Sequence, residues 1–193
     1  MKNNGRDLLK KGSAVAAVVA SAGILLLFPA LSGAREIDKE IDRENSKVTF
    51  EISNIGINTV RGSIGGMTGG IRFDPQDSGN ASFDVCIDAS TIDTGIGLRD
   101  RDLQGEKFFH VDQYPEICFE SDSVRRKNGG YVTTGKLTMV GVTRTEEIPF
   151  TYEDGTFEGT FTVNRFDYGV GENVSKFTAG EEVAITIHCE IQP

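Results

Sequence analysis

Apolar and polar residues alternate along most of the chain after residue 46. The runs 47–54, 82–88 and 183–191 show this most clearly, because the apolar side chains of each fall on one face. A period of two is typical of a β-strand with one buried face. Segments rich in Gly, Asn and Asp separate the runs, as at 128–130 and 153–155. The pattern predicts seven or eight antiparallel strands, arranged as a sandwich or a closed barrel.

Two segments depart from this alternation. One short helix is predicted near 97–109, where apolar residues stand among charged ones. The glycine pairs 65–66 and 69–70 form no GxGxxG phosphate loop, and no helical pattern follows them. We interpret them as bends or bulges within a strand.

The inward face of the strands decides what a barrel could hold. A barrel of about eight strands can be filled by its own side chains or can enclose one small ligand. The inward positions carry many phenylalanines and no charge. Such an interior would suit an apolar ligand, but a filled hydrophobic core is the more usual case for a β protein, and the pattern alone leaves both interpretations open. The predicted pocket lining is Phe50, Ile52, Phe73, Phe83, Val85, Ile87, Phe119, Leu137, Phe150, Phe161 and Val163.

The first 34 residues have the pattern of an export signal. A basic start precedes residues 12–34, which carry no charge and are rich in Ala, Val and Leu. Small residues at Ser32-Gly33-Ala34 predict a signal peptide, 1–34, cleaved after Ala34, with an uncleaved membrane anchor as the alternative. The remaining residues, 35–193, are then one exported barrel domain, periplasmic or secreted.

The charge of the chain is divided unevenly between these two parts. The whole chain has 20 basic and 29 acidic residues and a net charge of -9. Residues 35–193 alone hold 16 basic and 28 acidic residues, a net charge of -12. Nucleic acids and anionic membrane surfaces both attract basic proteins, so we expect no nucleic-acid partner.

Few residues offer catalytic chemistry. The sequence has two histidines, His110 and His188, and none of the common hydrolase, phosphate-loop or zinc motifs. Asp100 and Asp102 alternate with arginines, a pattern typical of local ion pairs. A barrel enzyme using either aspartate with His110 is the alternative to a binding protein. No catalytic residue, metal site or cofactor is predicted.

Three cysteines lie in the exported part of the chain. An oxidising compartment would allow one disulfide and leave one thiol free. Cys86 and Cys118 share the outward phase of their strands, whereas Cys189 is in the inward phase. Cys86–Cys118 is therefore the candidate pair for a disulfide, which requires the two strands to be neighbours, and the sequence leaves the state of the three cysteines open.

The order of the motifs resembles the YceI-like family of exported lipid- and polyisoprenoid-binding proteins. The resemblance covers about 42–191, nearly the whole exported part. The matching segments include Ser46-Lys-Val-Thr-Phe50, Val60-Arg-Gly-Ser-Ile-Gly-Gly66, Ile71-Arg-Phe-Asp-Pro75, Ser90-Thr-Ile-Asp-Thr-Gly95, Gly135-Lys-Leu-Thr138, Gly141-Val-Thr-Arg144 and Asn164-Arg-Phe-Asp-Tyr-Gly-Val-Gly171.

The resemblance implies an all-β protein, an eight-stranded antiparallel lipocalin-like barrel with one short helix near its mouth. It also implies a carrier or storage protein that holds an isoprenoid lipid or a quinone-type tail without chemistry. An acidic shell around an apolar lining would keep such a carrier soluble, so we expect only transient membrane contact.

Two positions differ from many members of that family. Asp102, and Val140 before Gly-Val-Thr, stand where those relatives have histidine. The candidates for contact with a ligand head group are then Arg99, Arg144 and Arg165, because an arginine fork suits a phosphate or a quinone carbonyl. The alternative is that Arg99 with Asp100, and Arg165 with Asp167, form local ion pairs that hold loops.

Overall fold

The structure is a computed structural model that describes residues 38–192. The predicted signal peptide, 1–34, lies outside the described residues. The α-helix of the described range is α1 (Gly97–Gln104). Its strands are β1 (Asp38–Glu40), β2 (Lys47–Asn54), β3 (Asn58–Ile64), β4 (Thr68–Arg72), β5 (Ser82–Asp88), β6 (Glu116–Lys127), β7 (Gly130–Met139), β8 (Val142–Glu153), β9 (Thr156–Asn164) and β10 (Ala179–Glu190).

All the strands belong to one curled antiparallel sheet, in the order β1-β4-β5-β6-β7-β8-β9-β10-β2-β3. Strand β3 pairs with β2, and β4 pairs with β5, yet only residues 65–67 separate β3 from β4. The two are halves of one bent strand that joins the two sides of the sheet. Counting them together gives eight barrel strands, with β1 as a short addition beside β4. The predicted all-β antiparallel barrel is confirmed.

The bend between β3 and β4 depends on a glycine. Gly66 has a φ of +67°, and a Cβ atom there would lie 2.8 Å from the Cβ of Asp88. Side chains other than glycine rarely adopt this backbone conformation. The next residue, Met67, turns inward and is 2% exposed. The interpretation of this glycine pair as a strand bend is confirmed.

One end of the barrel, the lower end, is closed by aromatic side chains. Ring centroids of neighbouring members lie 4.7–6.2 Å apart, in edge, tilted and stacked arrangements. This aromatic floor consists of Phe73, Phe83, Tyr131, Phe150, Tyr152 and Phe157. The hairpin turns at 128–129 and 154–155 lie at this end.

Helix α1 lies at the other end, the mouth, in the connection between β5 and β6. The predicted helix is confirmed in its position, but it ends at Gln104 and not near residue 109. After Gly105 the chain forms turns, in which the Phe109 amide donates to the carbonyl of Leu103. In the described part of the chain, no helix has the length and apolar character needed to cross a membrane.

Candidate functional site

An apolar cavity of about 400 Å³ lies between the aromatic floor and the mouth. Its volume falls within the range of about 300–1,000 Å³ that is usual for small-molecule sites. Strands β2 and β10 form one continuous wall, since their inward residues face each other across the ladder. The three cross-strand pairs on this wall are Ile52 with Val183, Phe50 with Ile185 and Val48 with Ile187.

The structure places seven of the eleven predicted lining residues on the cavity wall. They come from the four strands β2, β5, β7 and β9. The seven are Phe50, Ile52, Val85, Ile87, Leu137, Phe161 and Val163. Contact between these side chains and a ligand stays a prediction.

The other four predicted lining residues lie elsewhere, which corrects the sequence-based prediction. Phe73, Phe83 and Phe150 belong to the aromatic floor. Phe119 packs between the two hydrophobic clusters, and its ring end lies 2.6 Å from the position of a Cβ on Gly135. Alternation shows which face a side chain occupies, but it does not show its height along the barrel axis. These four residues face inward below or beside the cavity.

Several lining residues come from connections that strand alternation does not describe. Leu103, Phe108 and Phe109 cover the cavity from α1 and the turns after it, while Val170 and Val174 cover it from the connection between β9 and β10. Leu103, Phe108 and Phe109 were visible in the sequence as apolar residues of the helix predicted near 97–109. The loop valines carry no periodic signal, because their placement depends on how the loop folds.

Arg165 organises that loop, although the sequence offered it as a head-group contact. It is 4% exposed and borders the cavity. Its guanidinium donates five hydrogen bonds, to the carbonyls of residues 170, 171, 174, 179 and 180, at 2.6–3.0 Å. A guanidinium has five N–H donors, so all of them are used to hold the loop and the first residues of β10, and none remains for a ligand. This corrects its predicted role.

The charge of Arg165 also corrects the expectation of an uncharged interior. Burial lowers the pKa of its guanidinium, and the nearby Glu181 carboxylate opposes that shift. The ring of Phe166 lies 3.9 Å from the guanidinium carbon and adds a cation–π contact. The five carbonyl oxygens replace the water that the charge loses.

The other two arginines predicted at a head group differ from each other. Arg99 is half-buried and lines the mouth, where it donates to the hydroxyl of Thr94 at 2.7 Å and to the Thr94 carbonyl at 2.9 Å. Arg144 is exposed, lies outside the cavity lining and donates to the carbonyl of Asp167 at 3.1 Å. Its place beside the turn after β9 corrects its predicted position at the ligand.

Polar groups of the mouth come from both of its sides. Asp102 and Lys107 border the opening from α1 and the turns after it. Asn54 borders it from β2, where its side-chain amide donates to the Thr178 carbonyl at 2.8 Å. Asp100, a candidate of the enzyme alternative, accepts hydrogen bonds from the amide and the hydroxyl of Thr94. Its carboxylate therefore anchors the turn before α1.

The candidate pair, Cys86 and Cys118, forms a disulfide in the structure. The two residues are directly paired between β5 and β6, and their sulfurs are bonded. Glu116 lies close enough for a three-ligand metal group with these sulfurs, but the disulfide leaves no thiolate to bind a metal. Cys189 is free and buried, and burial raises the pKa of its thiol to about 11.

The fold and the cavity together define a small antiparallel β-barrel with one apolar chamber under a polar mouth. The chain belongs to the YceI-like family, since the family model described as a YceI-like domain matches residues 40–191. That match includes every cavity-lining residue and the whole aromatic floor.

Comparison with individual proteins gives the same picture. A UPF0312 protein of Serratia proteamaculans is 26% identical over 93% of this chain and 97% of its own length. One from Yersinia pestis is 33% identical over 62% of this chain, and the match spans 62% of that relative's length. The crystal structure of Burkholderia cenocepacia BcnA is 26% identical, with a TM-score of 0.73 over 79% of this chain and 99% of that one.

A more distant structure shares the fold. It is a polyisoprenoid binding domain from Saccharophagus degradans implicated in plant cell wall breakdown, 13% identical. Its TM-score is 0.62 over 80% of this chain and 98% of that chain. At this identity, the likeness concerns the fold.

Proposed function

We propose that this protein is an exported carrier or storage protein that holds a long apolar isoprenoid, such as a polyisoprenoid or a quinone tail, without chemistry. The observation that carries the proposal is the apolar cavity of about 400 Å³. Each CH₂ group that leaves water for such a site contributes about 0.8 kcal/mol to binding. A tail of several isoprene units therefore offsets a large ordering cost.

The shape of the wall favours a tail over a compact ligand. Strand residues advance about 3.3 Å each, so the wall from Val48 to Ile52 is roughly 13 Å long. Polar lining groups concentrate at the mouth, where Arg99, Asp102 and Lys107 lie. A ligand with an apolar tail and one polar end matches this distribution. The polyisoprenoid-binding relative from Saccharophagus degradans supports the same ligand class.

The two alternative functions explain the geometry less well. A barrel enzyme using Asp100 needs a free carboxylate, whereas Asp100 accepts two hydrogen bonds from Thr94. A filled structural barrel needs an interior without a cavity of ligand size, and the volume above the aromatic floor argues against it. Binding therefore accounts for the site best.

We also propose that the chain is cleaved after Ala34 and acts in the periplasm or outside the cell. The Cys86–Cys118 disulfide supports this location, because disulfides persist in oxidising compartments. A carrier of an apolar tail must meet a membrane to load or unload, so we propose transient membrane contact as well. N-terminal sequencing of the exported protein tests the cleavage site directly.

The ligand is tested on protein purified from its exported fraction. Extraction with organic solvent followed by mass spectrometry should recover an isoprenoid lipid or quinone. Phe161→Glu should lower its occupancy at least tenfold, because the variant puts a charge into the apolar wall. Thr162→Glu is the matched control, since it adds the same charge at the neighbouring, exposed position of β9.

Two results would contradict the proposal. One is a folded wild-type protein that carries no apolar cargo and binds no added isoprenoid. The other is Phe161→Glu protein that is folded and holds the same lipid at the same occupancy as Thr162→Glu protein. The first result would contradict the proposed ligand class, and the second would contradict the assignment of the ligand to this cavity.

A further inference from the structure

Large exposed apolar side chains of the described residues gather at one end of the barrel. Their exposed fractions run from 48% for Ile55 to 86% for Ile57. Scattered apolar residues on a surface are ordinary, but their concentration at one place marks a contact site. We call this set the apolar rim, and it consists of Ile55, Ile57, Ile96, Leu98 and Phe177.

Each member of the apolar rim is a close chain neighbour of a residue that lines the mouth. Ile55 and Ile57 form the turn between Asn54 and Val60, which both border the cavity. Phe177 directly precedes Thr178, a third lining residue. Leu98 directly precedes Arg99, and Ile96 precedes α1, which carries both.

Contacts hold two parts of the apolar rim together. The Ile55 amide donates to the carbonyl of Thr178 at 3.3 Å. The ring of Phe177 lies 3.6 Å from the position that a Cβ on Gly56 would occupy. The β2–β3 turn and the loop before β10 therefore form one continuous surface beside the opening.

The backbone at Ile55 gives a second, independent observation. Ile55 and Gly56 occupy the turn with φ values of +53° and +69°. Hairpin turns of this kind favour Asn or Asp before Gly, and both turns at the lower end have them, Asn128-Gly129 and Asp154-Gly155.

An isoleucine is strained in this conformation, since it is β-branched. Val140 has a similar φ of +50°, but its side chain packs on the hydrophobic cluster near the mouth. The side chain of Ile55 is half exposed and contributes to neither hydrophobic cluster. A contact outside the chain would account for a strained and exposed isoleucine.

We propose that the apolar rim is a docking surface that inserts into an uncharged lipid bilayer and sets the cavity mouth against the membrane. This inference rests on the proposed function, because a docked mouth serves a carrier whose barrel holds an apolar tail. Residues 35–193 carry a net charge of -12, so attraction to anionic lipids does not drive the contact. Burial of the rim side chains drives it.

A second copy of the chain fits this surface less well than a bilayer does. A stable protein interface buries about 20–30 residues on each side, whereas the apolar rim has five large apolar side chains. A bilayer needs no matching shape, and five side chains are enough for reversible insertion. The polar cavity mouth would then face the headgroups, next to the hydrocarbon that the apolar rim enters.

The test measures flotation of the exported protein with uncharged phosphatidylcholine vesicles. Wild-type protein should bind, with little change between low and high salt. Combined serine substitutions at Ile57, Leu98 and Phe177 should weaken binding about a thousandfold, since each buried side chain contributes roughly tenfold. The matched control, Ile57→Leu with Leu98→Ile, should bind like the wild type.

One further variant separates loss of docking from loss of fold. Ile55→Asn should weaken vesicle binding and also raise the melting temperature, because Asn suits the turn conformation. Hydrogen exchange adds a local readout. Vesicles should slow the amides of 55–57 and 175–178 and leave the turn at 128–129 unchanged.

Each outcome bears on the docking surface separately from the ligand. Wild-type protein that carries an isoprenoid but leaves the amides of 55–57 unprotected by vesicles would overturn the docking surface and keep the proposed function. So would binding only to anionic vesicles at low salt, or a rim-dependent dimer. Rim-dependent binding to uncharged vesicles by a protein without apolar cargo would keep the docking surface and overturn the proposed function.

Discussion

Replacing Arg165 with lysine keeps the positive charge but removes the geometry that holds the loop at the mouth. The arginine donates to five carbonyl oxygens through three nitrogen atoms, whereas lysine has three N–H donors on one nitrogen. At least two carbonyls must therefore lose their donor. A hydrogen bond to a charged group contributes about 1.5–3 kcal/mol, so the expected loss is about 3 kcal/mol at the lower limit.

This loss is measurable as a shift in melting temperature. For a protein of this size, 1 kcal/mol corresponds to about 2–4 °C, so Arg165→Lys should melt about 6–12 °C below the wild type. Both proteins are stripped of lipid first, because a bound ligand raises the melting temperature. Arg144→Lys is the matched control. It removes one exposed hydrogen bond, and its effect should stay within about 0.5 kcal/mol.

The same pair of variants separates a structural role from a head-group role. If Arg165 held a ligand, Arg165→Lys would lower the occupancy of the cavity and leave the melting temperature of stripped protein unchanged. That result would refute the structural role of Arg165. The structural role instead requires a lower melting temperature in the stripped protein, together with faster hydrogen exchange in residues 170–180.

Three further predictions concern other parts of the barrel. Reduction of the Cys86–Cys118 disulfide, which closes a 32-residue separation, should lower the free energy of unfolding by about 3–4 kcal/mol; unchanged urea unfolding with reductant would contradict this. Hydrogen bonds to Glu158 and then Glu190 raise the pKa of His188, so its protonated form adds stability below about pH 6.5, and this is lost as the pH rises through the raised value. The substitution His188→Gln should therefore lower the free energy of unfolding more at acidic pH than at alkaline pH, by less than about 1 kcal/mol. Melting curves at the two pH values measure this, and equal effects at both would argue against the pairing of His188 with the two glutamates. Phe83→Ala should cost about 3–5 kcal/mol of stability yet leave cargo occupancy of the folded protein unchanged, and a fall in occupancy like that of Phe161→Glu would place Phe83 in the cavity.

The strands that the sequence predicted well are those with unbroken alternation. Predicted runs at 47–54 and 82–88 match β2 and β5 to the residue. The bounds of β3 and β4 were not predicted, because glycines interrupt the alternation of apolar residues at the bend. The disulfide followed from alternation too, since two cysteines in the same phase of neighbouring strands can meet.

The sequence predicted which side chains of the candidate site face inward, but not the height of each along the barrel axis. Phe161 and Phe83 have the same inward phase, yet one lines the cavity and the other belongs to the aromatic floor. Their heights depend on strand register, which turns and bulges set and which alternation does not encode. The role of Arg165 was not predictable, because its five partners are carbonyls that come together only when the loop folds.

The aromatic floor makes the barrel a blind tube in the described part of the chain, and this has a kinetic consequence. A tail that enters end-on must withdraw along the same path, with its polar end leading. Withdrawal into water exposes each CH₂ at a cost of about 0.8 kcal/mol, so ten groups would slow release roughly a millionfold. Withdrawal into hydrocarbon avoids that cost. For the proposed ligand, the depth of the tube would therefore set how long a tail stays bound in solution, and contact with an apolar phase would set when it leaves.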